Sequence, residues 1–197
     1  MNELIFATSN PNKILEVQSK FDYENIAIKI VPVPSPFNPV ENGETFAENA
    51  YIKAFAAAKL TKKIALGDDT GLCVDALGGR PGIYSARYAT AGESKIDKLL
   101  NEMKQYTNIE DRKAYFTCAV KLVEPSGKTI FNYQSKFNGY IAFEPQGDFG
   151  FGYDSIFYVP ELKKTLAELS MQEKNLVSHR ALALNELAKW LKEYKKF

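Results

Sequence analysis

Two adjacent carboxylates, Asp68 and Asp69, follow a short apolar segment and are flanked by Gly67 and Gly71. Neighbouring carboxylates repel each other unless water or a cation neutralises them. Mg²⁺ prefers carboxylate oxygens together with phosphate oxygens, and a carboxylate beside a metal can orient or deprotonate water for attack on phosphorus. The motif therefore indicates either a metal site with a general base or a solvated acidic turn.

A second motif lies where a predicted strand meets a predicted helix, with the residues Thr8, Ser9, Asn10, Pro11, Asn12 and Lys13. Asn10 is the expected N-cap and Pro11 the first helical residue. Backbone N–H groups at a helix N-terminus favour a bound phosphate, and Lys13 in the first turn opposes the helix dipole unless an anion binds there. An ordinary capped helix with a solvated lysine is the alternative, since the glycine-rich P-loop pattern is absent.

Acidic residues also surround the predicted start of a long helix at Glu44, where Glu41 precedes it. Carboxylates at such a position stabilise the helix dipole. Further along, Asn49 and Lys53 share one helix face at i,i+4, among small residues. Lys53 is therefore either a second phosphate contact or a solvated lysine.

A short aromatic motif comprises Phe151, Gly152, Tyr153 and Asp154. Glycine between two aromatic residues leaves space for a planar base to stack, and Asp154 can accept hydrogen bonds from base N–H groups. The alternative is a pair of core aromatics beside a turn.

His179, the only histidine, and Arg180 begin the predicted last helix, with Lys174 just upstream. Two potentially cationic side chains in a first turn conflict with the helix dipole, and an electron-rich ligand such as a purine carbonyl would resolve the conflict. The alternatives are a structural histidine and a solvated lysine.

Helices and strands must position these residues. Helices alternate with strands in the first part of the chain, and hairpins of strands follow in the later part. Strands are predicted at residues 3–7, 28–31, 64–66, 114–123, 129–135 and 137–143. Helices are predicted from Pro11, over 44–62, over 95–106 and from Ser178. This order predicts an α/β fold with a mixed sheet and flanking helices.

The 197 residues fit one compact domain, or two lobes around a shared sheet. A net charge of +1 argues against a broad nucleic-acid surface, and no apolar run approaches the roughly 20 residues of a membrane span. Cys73 and Cys118 match no metal-binding spacing and are expected to be buried, reduced thiols. We therefore expect a cytoplasmic protein without a nucleic-acid or membrane partner.

Taken in order, six motifs resemble the inosine triphosphate pyrophosphatase family over essentially the whole chain. They are Thr8-Ser9-Asn10-x-x-Lys13, Glu41 with Thr45-Phe46-x-Glu48-Asn49-Ala50, Asp68-Asp69-Thr70-Gly71-Leu72, Pro81-Gly82-Ile83-Tyr84-Ser85-Ala86-Arg87-Tyr88, Phe151-Gly152-Tyr153-Asp154, and Glu173-Lys174 through Ser178-His179-Arg180.

The resemblance implies a long mixed sheet with flanking helices, two lobes around a central cleft, and a homodimer. It also implies Mg²⁺-dependent hydrolysis of ITP, dITP and XTP to monophosphate and pyrophosphate. The chain would then be a single nucleotide pyrophosphatase domain over residues 1–197. A non-catalytic nucleotide-binding module, and a pyrophosphatase acting on other nucleotides, are the two rival interpretations.

The resemblance also assigns roles to individual residues. It implies that Glu41, Asp68 and Asp69 bind Mg²⁺ directly or through water, that Asp69 is the general base, and that Thr70 touches the phosphates. Thr8 to Lys13 would hold the triphosphate together with Lys53. In the base-binding motif, Tyr153 would stack on the base beside Phe151 and Gly152. The base edge would be read by Asp154, Lys174, His179 and Arg180.

Overall fold

The protein is described by a computed structural model that covers residues 3–194. The strands are β1 (Glu3–Phe6), β2 (Lys29–Pro32), β3 (Ala65–Val74), β4 (Lys113–Val123), β5 (Thr129–Ile141), β6 (Phe157–Val159) and β7 (Lys164–Thr165). The α-helices are α1 (Pro11–Tyr23), α2 (Phe46–Thr61), α3 (Lys95–Glu102), α4 (Met171–Val177) and α5 (His179–Glu193).

The seven strands hydrogen-bond in the order β2-β1-β3-β4-β5-β6-β7. β1 is parallel to both β2 and β3, whereas β6 is antiparallel to β5 and β7. The parallel part comes from the helix-connected N-terminal strands and the antiparallel part from the later ones. The predicted α/β fold with a mixed sheet and flanking helices is confirmed.

The chain divides into two compact units. The first contains the residues up to Asp69, residues 118–135 and those from His179 onward; the second contains residues 70–117 and 136–178. Each unit has a hydrophobic core formed by its own residues.

In the first unit, the strands bury side chains on both faces. Phe6 and Leu66 belong to the core formed with α1 and α5, whereas Ile5 and Ala65 belong to the core formed with α2. Successive side chains of a strand point to opposite faces. Even-numbered residues of this part of β3 therefore face α1 and α5, and odd-numbered residues face α2.

Gly67 permits α2 to lie directly against β3. A Cβ atom at this position would stand 2.3 Å from the carbonyl oxygen of Ala50 and 2.8 Å from Ala54. Both neighbours belong to the body of a helix and cannot move aside, so only glycine fits. This close approach brings the polar residues of α2 near the next odd-numbered residue of β3, which is Asp69.

The core of the second unit is built around Leu72, Leu99, Phe157 and Leu166. Arg112 is buried beside it, and its guanidinium group donates hydrogen bonds to four backbone carbonyls, those of Met103, Tyr106, Ile141 and Ala142. One side chain thereby joins the end of α3 to the end of β5.

Several local features differ from their predictions, and the helix predicted over 95–106 ends at Glu102. Asp68 and Asp69 lie inside β3 rather than in a turn, because the hydrogen bonding of β3 within the sheet outweighs the low strand propensity of Gly and Asp. The two strands predicted over 129–143 are one strand, β5. The helix α4 was not predicted. Cys73 and Cys118 are buried, as expected. In the part of the chain that is described, no helix is long and apolar enough to span a bilayer.

Candidate active site

The phosphate motif begins α1 as the sequence predicts. Asn10 is the N-cap, and its side chain accepts a hydrogen bond of 3.0 Å from the N–H group of Asn12. The hydroxyl group of Thr8 accepts one of 3.1 Å from the N–H group of Asn10. Ser9, Pro11 and Asn12 are exposed. The first turn therefore presents backbone N–H groups and polar side chains at an accessible surface.

Lys13, in the same turn, reaches across to β3. Its Nζ atom lies 2.8 Å from Oδ1 of Asp68. Oδ2 of Asp68 lies 3.3 Å from Nη2 of Arg180, so one buried carboxylate joins the starts of α1 and α5. Although burial alone would raise the pKa of Asp68, Lys13 and Arg180 hold this pKa well below its usual range. The two cations therefore favour the charged form of Asp68.

Asp69 faces the other side of the sheet and pairs with α2. Nζ of Lys53 lies 2.8 Å from Oδ1 of Asp69 and 2.9 Å from a carboxylate oxygen of Glu41. Burial would lower the pKa of Lys53, but Asp69 and Asp68 raise it. Lys53 is therefore a cation shared by two carboxylates.

The second oxygen of Asp69, Oδ2, is buried and has no hydrogen-bond partner among the described residues. Burial raises the pKa of Asp69, and the charges of Asp68 and Glu41 add to this increase, while Lys53 opposes it. A buried carboxylate oxygen without a partner is costly. It has the chemistry of a metal ligand or of a general base that accepts a proton from water.

Two of the carboxylates predicted to bind Mg²⁺, Asp68 and Asp69, thus point to opposite faces of β3. The third, Glu41, lies on the side of Asp69, where both contact Lys53. Within residues 3–194 no group of three or more Asp, Glu, His or Cys side chains is arranged to hold a metal ion. Asp68 is neutralised by Lys13 and Arg180, whereas Asp69 and Glu41 share Lys53. The roles of Glu41, Asp68 and Asp69 as Mg²⁺ ligands stay predictions.

Glu16 is a site residue that the sequence reasoning missed. It lies on the buried face of α1, next to Val17 and one turn before Lys20, and forms an ion pair with the guanidinium group of Arg180. A glutamate at a core-facing position of an amphipathic helix was the available signal, because such a carboxylate requires a partner.

The guanidinium group of Arg180, which is 3 % exposed, lies between Glu16 and Asp68. Burial would lower the pKa of Arg180, but these two carboxylates raise it. His179 is equally buried, and its backbone carbonyl accepts a 2.6 Å hydrogen bond from Ser135. The predicted roles of His179 and Arg180 at the base edge stay predictions.

In the second unit, Asp154 organises the aromatic motif. Its Oδ2 atom lies 2.7 Å from Nζ of Lys174 and accepts a 2.8 Å hydrogen bond from the N–H group of Phe151. The ammonium group of Lys174 lies 4.9 Å from the centre of the Phe151 ring. Asp154, Lys174 and Phe151 therefore form one cluster, as their shared predicted role requires.

Tyr153 is the buried ring of the motif. It is 3 % exposed and belongs to the core of the second unit, and its hydroxyl group donates a 3.0 Å hydrogen bond to the carbonyl of Ser85. The ammonium group of Lys95 lies 5.3 Å from the ring centre. Phe151 is the partly exposed ring of the motif, and the stacking of Tyr153 on a base stays a prediction.

Gly152 has a φ angle of 72°, and a Cβ atom there would meet nothing within 4 Å. Backbone conformation therefore requires the glycine, and the space beside it is open, as the prediction of a stacking site supposed. Thr70 is partly exposed and is the first residue of the second unit.

A cavity of about 450 Å³ opens in the first unit beside the loop that carries Glu41. It is lined by Asn42, Gly43, Glu44, Glu48, Tyr51, Ile52 and Lys121. None of these residues was predicted to contact a ligand.

Comparison with known proteins shows which family the chain belongs to. The model of the Ham1 family matches residues 4–190. A protein of Geobacillus kaustophilus named dITP/XTP pyrophosphatase is 45% identical over 193 residues, which are 95% of this chain and 93% of that protein. A protein of the same name from Bacillus subtilis is 45% identical over 97% of this chain and 98% of its own length.

Among solved structures, a HAM1 protein from Coxiella burnetii superposes with a TM-score of 0.87 at 40% sequence identity. The match covers 98% of this chain and 100% of that one. The relatives named dITP/XTP pyrophosphatase confirm the resemblance inferred from the six motifs, and the chain belongs to the Ham1 family.

Proposed function

We propose that this protein hydrolyses deaminated purine nucleoside triphosphates, namely ITP, dITP and XTP, to monophosphate and pyrophosphate with Mg²⁺ as the metal. The observation that carries the proposal is the cluster in which Lys53 joins Asp69 to Glu41. Near full-length similarity to proteins named dITP/XTP pyrophosphatase supports the choice of substrate.

The phosphates are assigned to the start of α1 and to the two lysines. Lys13 and Lys53 each hold a carboxylate at 2.8 Å. A polyphosphate carries more negative charge than a carboxylate. Both ammonium groups can therefore contact a bound phosphate in addition to, or in place of, their carboxylate partner. The N–H groups at the start of α1 add donors that a phosphate satisfies.

Mg²⁺ is assigned to Asp69 and Glu41, with Asp68 contributing negative charge from the neighbouring position of β3. When bound, the ion would neutralise phosphate charge and polarise the scissile phosphate. Carboxylate oxygens are its preferred protein ligands, either directly or through bound water.

Asp69 is assigned as the general base. Its pKa is raised by burial, and a carboxylate with a raised pKa accepts a proton from water more readily. Attack of that water on phosphorus releases pyrophosphate as the leaving group. Lys53, bonded to Oδ1, fixes the orientation of the carboxylate while Oδ2 stays available.

The base is assigned to the cluster of Phe151, Asp154 and Lys174, and to His179 and Arg180. Stacking is assigned to the aromatic motif, in which Phe151 is the partly exposed ring and Tyr153 the buried one. Donors such as Lys174 and Arg180 favour the 6-oxo group of hypoxanthine and xanthine over the 6-amino group of adenine, since a mismatch would leave donors unpaired. The proposal includes a homodimer, which the resemblance implies, and a cytoplasmic location, which the sequence composition suggests.

The test is a substrate panel on the purified protein. Pyrophosphate release is measured with ITP, dITP, XTP, ATP, dTTP and UTP, with Mg²⁺ and with a chelator. Metal-dependent turnover confined to ITP, dITP and XTP supports the proposal. Binding without turnover would favour the regulatory module, and preferred hydrolysis of dTTP or UTP would favour the other pyrophosphatase.

The base is tested with Asp69→Asn, which keeps the size of the side chain. We expect turnover to fall by about 10²–10⁴-fold, with the folding and nucleotide binding of the variant preserved. Asp111→Asn, at an exposed position, is the matched control and should keep wild-type turnover. Undiminished hydrolysis by the Asp69 variant would remove this residue from the role.

A further inference from the structure

The loop that carries Glu41 is held against α2 by one buried side chain. Asn49 is 1 % exposed, and its Oδ1 atom accepts a 2.9 Å hydrogen bond from the N–H group of Gly43. Asn49 stands one helical turn before Lys53, whose ammonium group contacts Glu41. The same helix therefore contacts the loop twice, once at the backbone and once at the carboxylate.

Gly43 makes the first of these contacts possible. A Cβ atom on Gly43 would lie 2.7 Å from Cβ of Glu48 and 2.8 Å from Oδ1 of Asn49. The backbone of the loop thus approaches the helix more closely than any residue with a side chain permits.

The loop residues Asn42 and Gly43 line the cavity of about 450 Å³ together with Tyr51 and Ile52 of α2. Part of the loop surface is therefore not packed against other side chains. The capping box of α2 acts one and two residues later, where the carboxylate of Glu48 accepts hydrogen bonds from the N–H groups of Glu44 and Thr45. Among these hydrogen bonds to the loop backbone, the one that Asn49 accepts lies nearest to Glu41 in the chain.

We infer that Asn49 is a positioning residue that places the carboxylate of Glu41 beside Asp69 by holding the backbone of Gly43. It deepens the proposed function, on which it rests, because Glu41 is assigned there to the metal. Asn49 touches neither substrate nor metal; it acts through the loop.

The first measurement is hydrogen exchange of the Gly43 amide, followed by NMR in the nucleotide-free and metal-free protein. Asn49→Leu removes the acceptor at similar size, and we expect exchange at Gly43 to accelerate about tenfold. Asn49→Asp keeps an acceptor oxygen and should retain slow exchange. Equal exchange at Gly43 in the Leu variant and the wild type overturns the inference.

The second measurement is a double-mutant cycle on kcat/KM for dITP. Asn49→Leu should lower kcat/KM about tenfold, and Asn49→Asp should recover most of the loss. In a Glu41→Gln background, Asn49→Leu should have no further effect, because its action passes through Glu41. The same tenfold loss in that background means that Asn49 acts on the fold instead, which also overturns the inference.

Gly43→Ala is the second variant, since it breaks the same contact from the loop side. It should reproduce the accelerated exchange and the Glu41-dependent loss of Asn49→Leu, with thermal unfolding recorded for every variant. If the wild-type protein does not hydrolyse dITP, the proposed function is wrong. The exchange rate of the Gly43 amide needs no substrate and tests the restraint by Asn49 separately.

Discussion

Lys53 binds only one oxygen of Asp69: its Nζ atom lies 2.8 Å from Oδ1, while Oδ2 is buried without a hydrogen-bond partner among residues 3–194. The carboxylate is thus held at one oxygen and has no hydrogen bond at the other among these residues. Burial raises the pKa of Asp69, and the ammonium group opposes that change. This relationship sets the pH dependence expected of the reaction.

Replacement of Lys53 by methionine should move the acidic limb of kcat/KM to higher pH. Without the ammonium group of Lys53, the charged form of Asp69 is less stable. The pKa of Asp69, already raised by burial, therefore increases further. The base is then protonated, and inactive, at a higher pH than in the wild type. The profile is measured with saturating Mg²⁺. Lys63→Met, which removes a half-exposed lysine paired with Glu3, should leave the limb in place. A limb that stays or moves to lower pH contradicts the assignment of Asp69.

Replacement of Arg180 by alanine should lower the free energy of unfolding by about 3–5 kcal/mol. Its guanidinium group is buried between Glu16 and Asp68, and both carboxylates would lose their cation. Urea denaturation measures the change. Arg80→Ala removes an arginine whose side chain is 58% exposed and should cost less than about 1 kcal/mol. Similar losses in the two variants would mean that the buried ion pairs have little role in stability.

The same Arg180→Ala variant tests base recognition. If the guanidinium group donates to the 6-oxo group of the substrate, the preference for ITP over ATP should fall by roughly tenfold or more, because each donor–acceptor mismatch at a buried site is costly. The ratio of kcat/KM for the two nucleotides measures it, under conditions where the variant is folded. An unchanged ratio would assign base reading to Lys174 and its neighbours instead.

Arg112→Met should destabilise the second unit without a direct effect on chemistry. The substitution leaves the carbonyls of Met103, Tyr106, Ile141 and Ala142 without their donor, and we expect a loss of roughly 3–5 kcal/mol. Lys113→Met, at the neighbouring exposed position, is the matched control. Equal midpoints of thermal unfolding for the two variants would show that water replaces the guanidinium group at little cost.

Local features of this protein were predictable because their physical causes are local. Asn10 caps α1 through a bond to a residue two positions away, and Pro11 occupies the first helical position. The start of α2 at Phe46 depends on Thr45 and Glu48, three residues apart. Six short motifs in one order also identified the family, which the comparisons confirm.

The environment of the two aspartates was not predictable from their spacing. Two adjacent carboxylates between glycines are typical of a turn, and the strand β3 continues through them because neighbouring strands pair with it. The pleat then sends Asp68 to the side of α1 and α5 and Asp69 to the side of α2. For this reason the two groups have different cations, and their pKa values shift in opposite directions.

The sequence by itself determined the fold class, the family and most of the polar residues that lie together. The tertiary structure decided which partners they have. Glu16 and Arg180 are 164 residues apart in the chain and form one buried ion pair. No local pattern encodes that contact, because it depends on α1 and α5 packing on the same face of the sheet. Tyr153 lies in the core for a similar reason: its hydroxyl group finds the carbonyl of Ser85 only when distant segments of the chain have folded together.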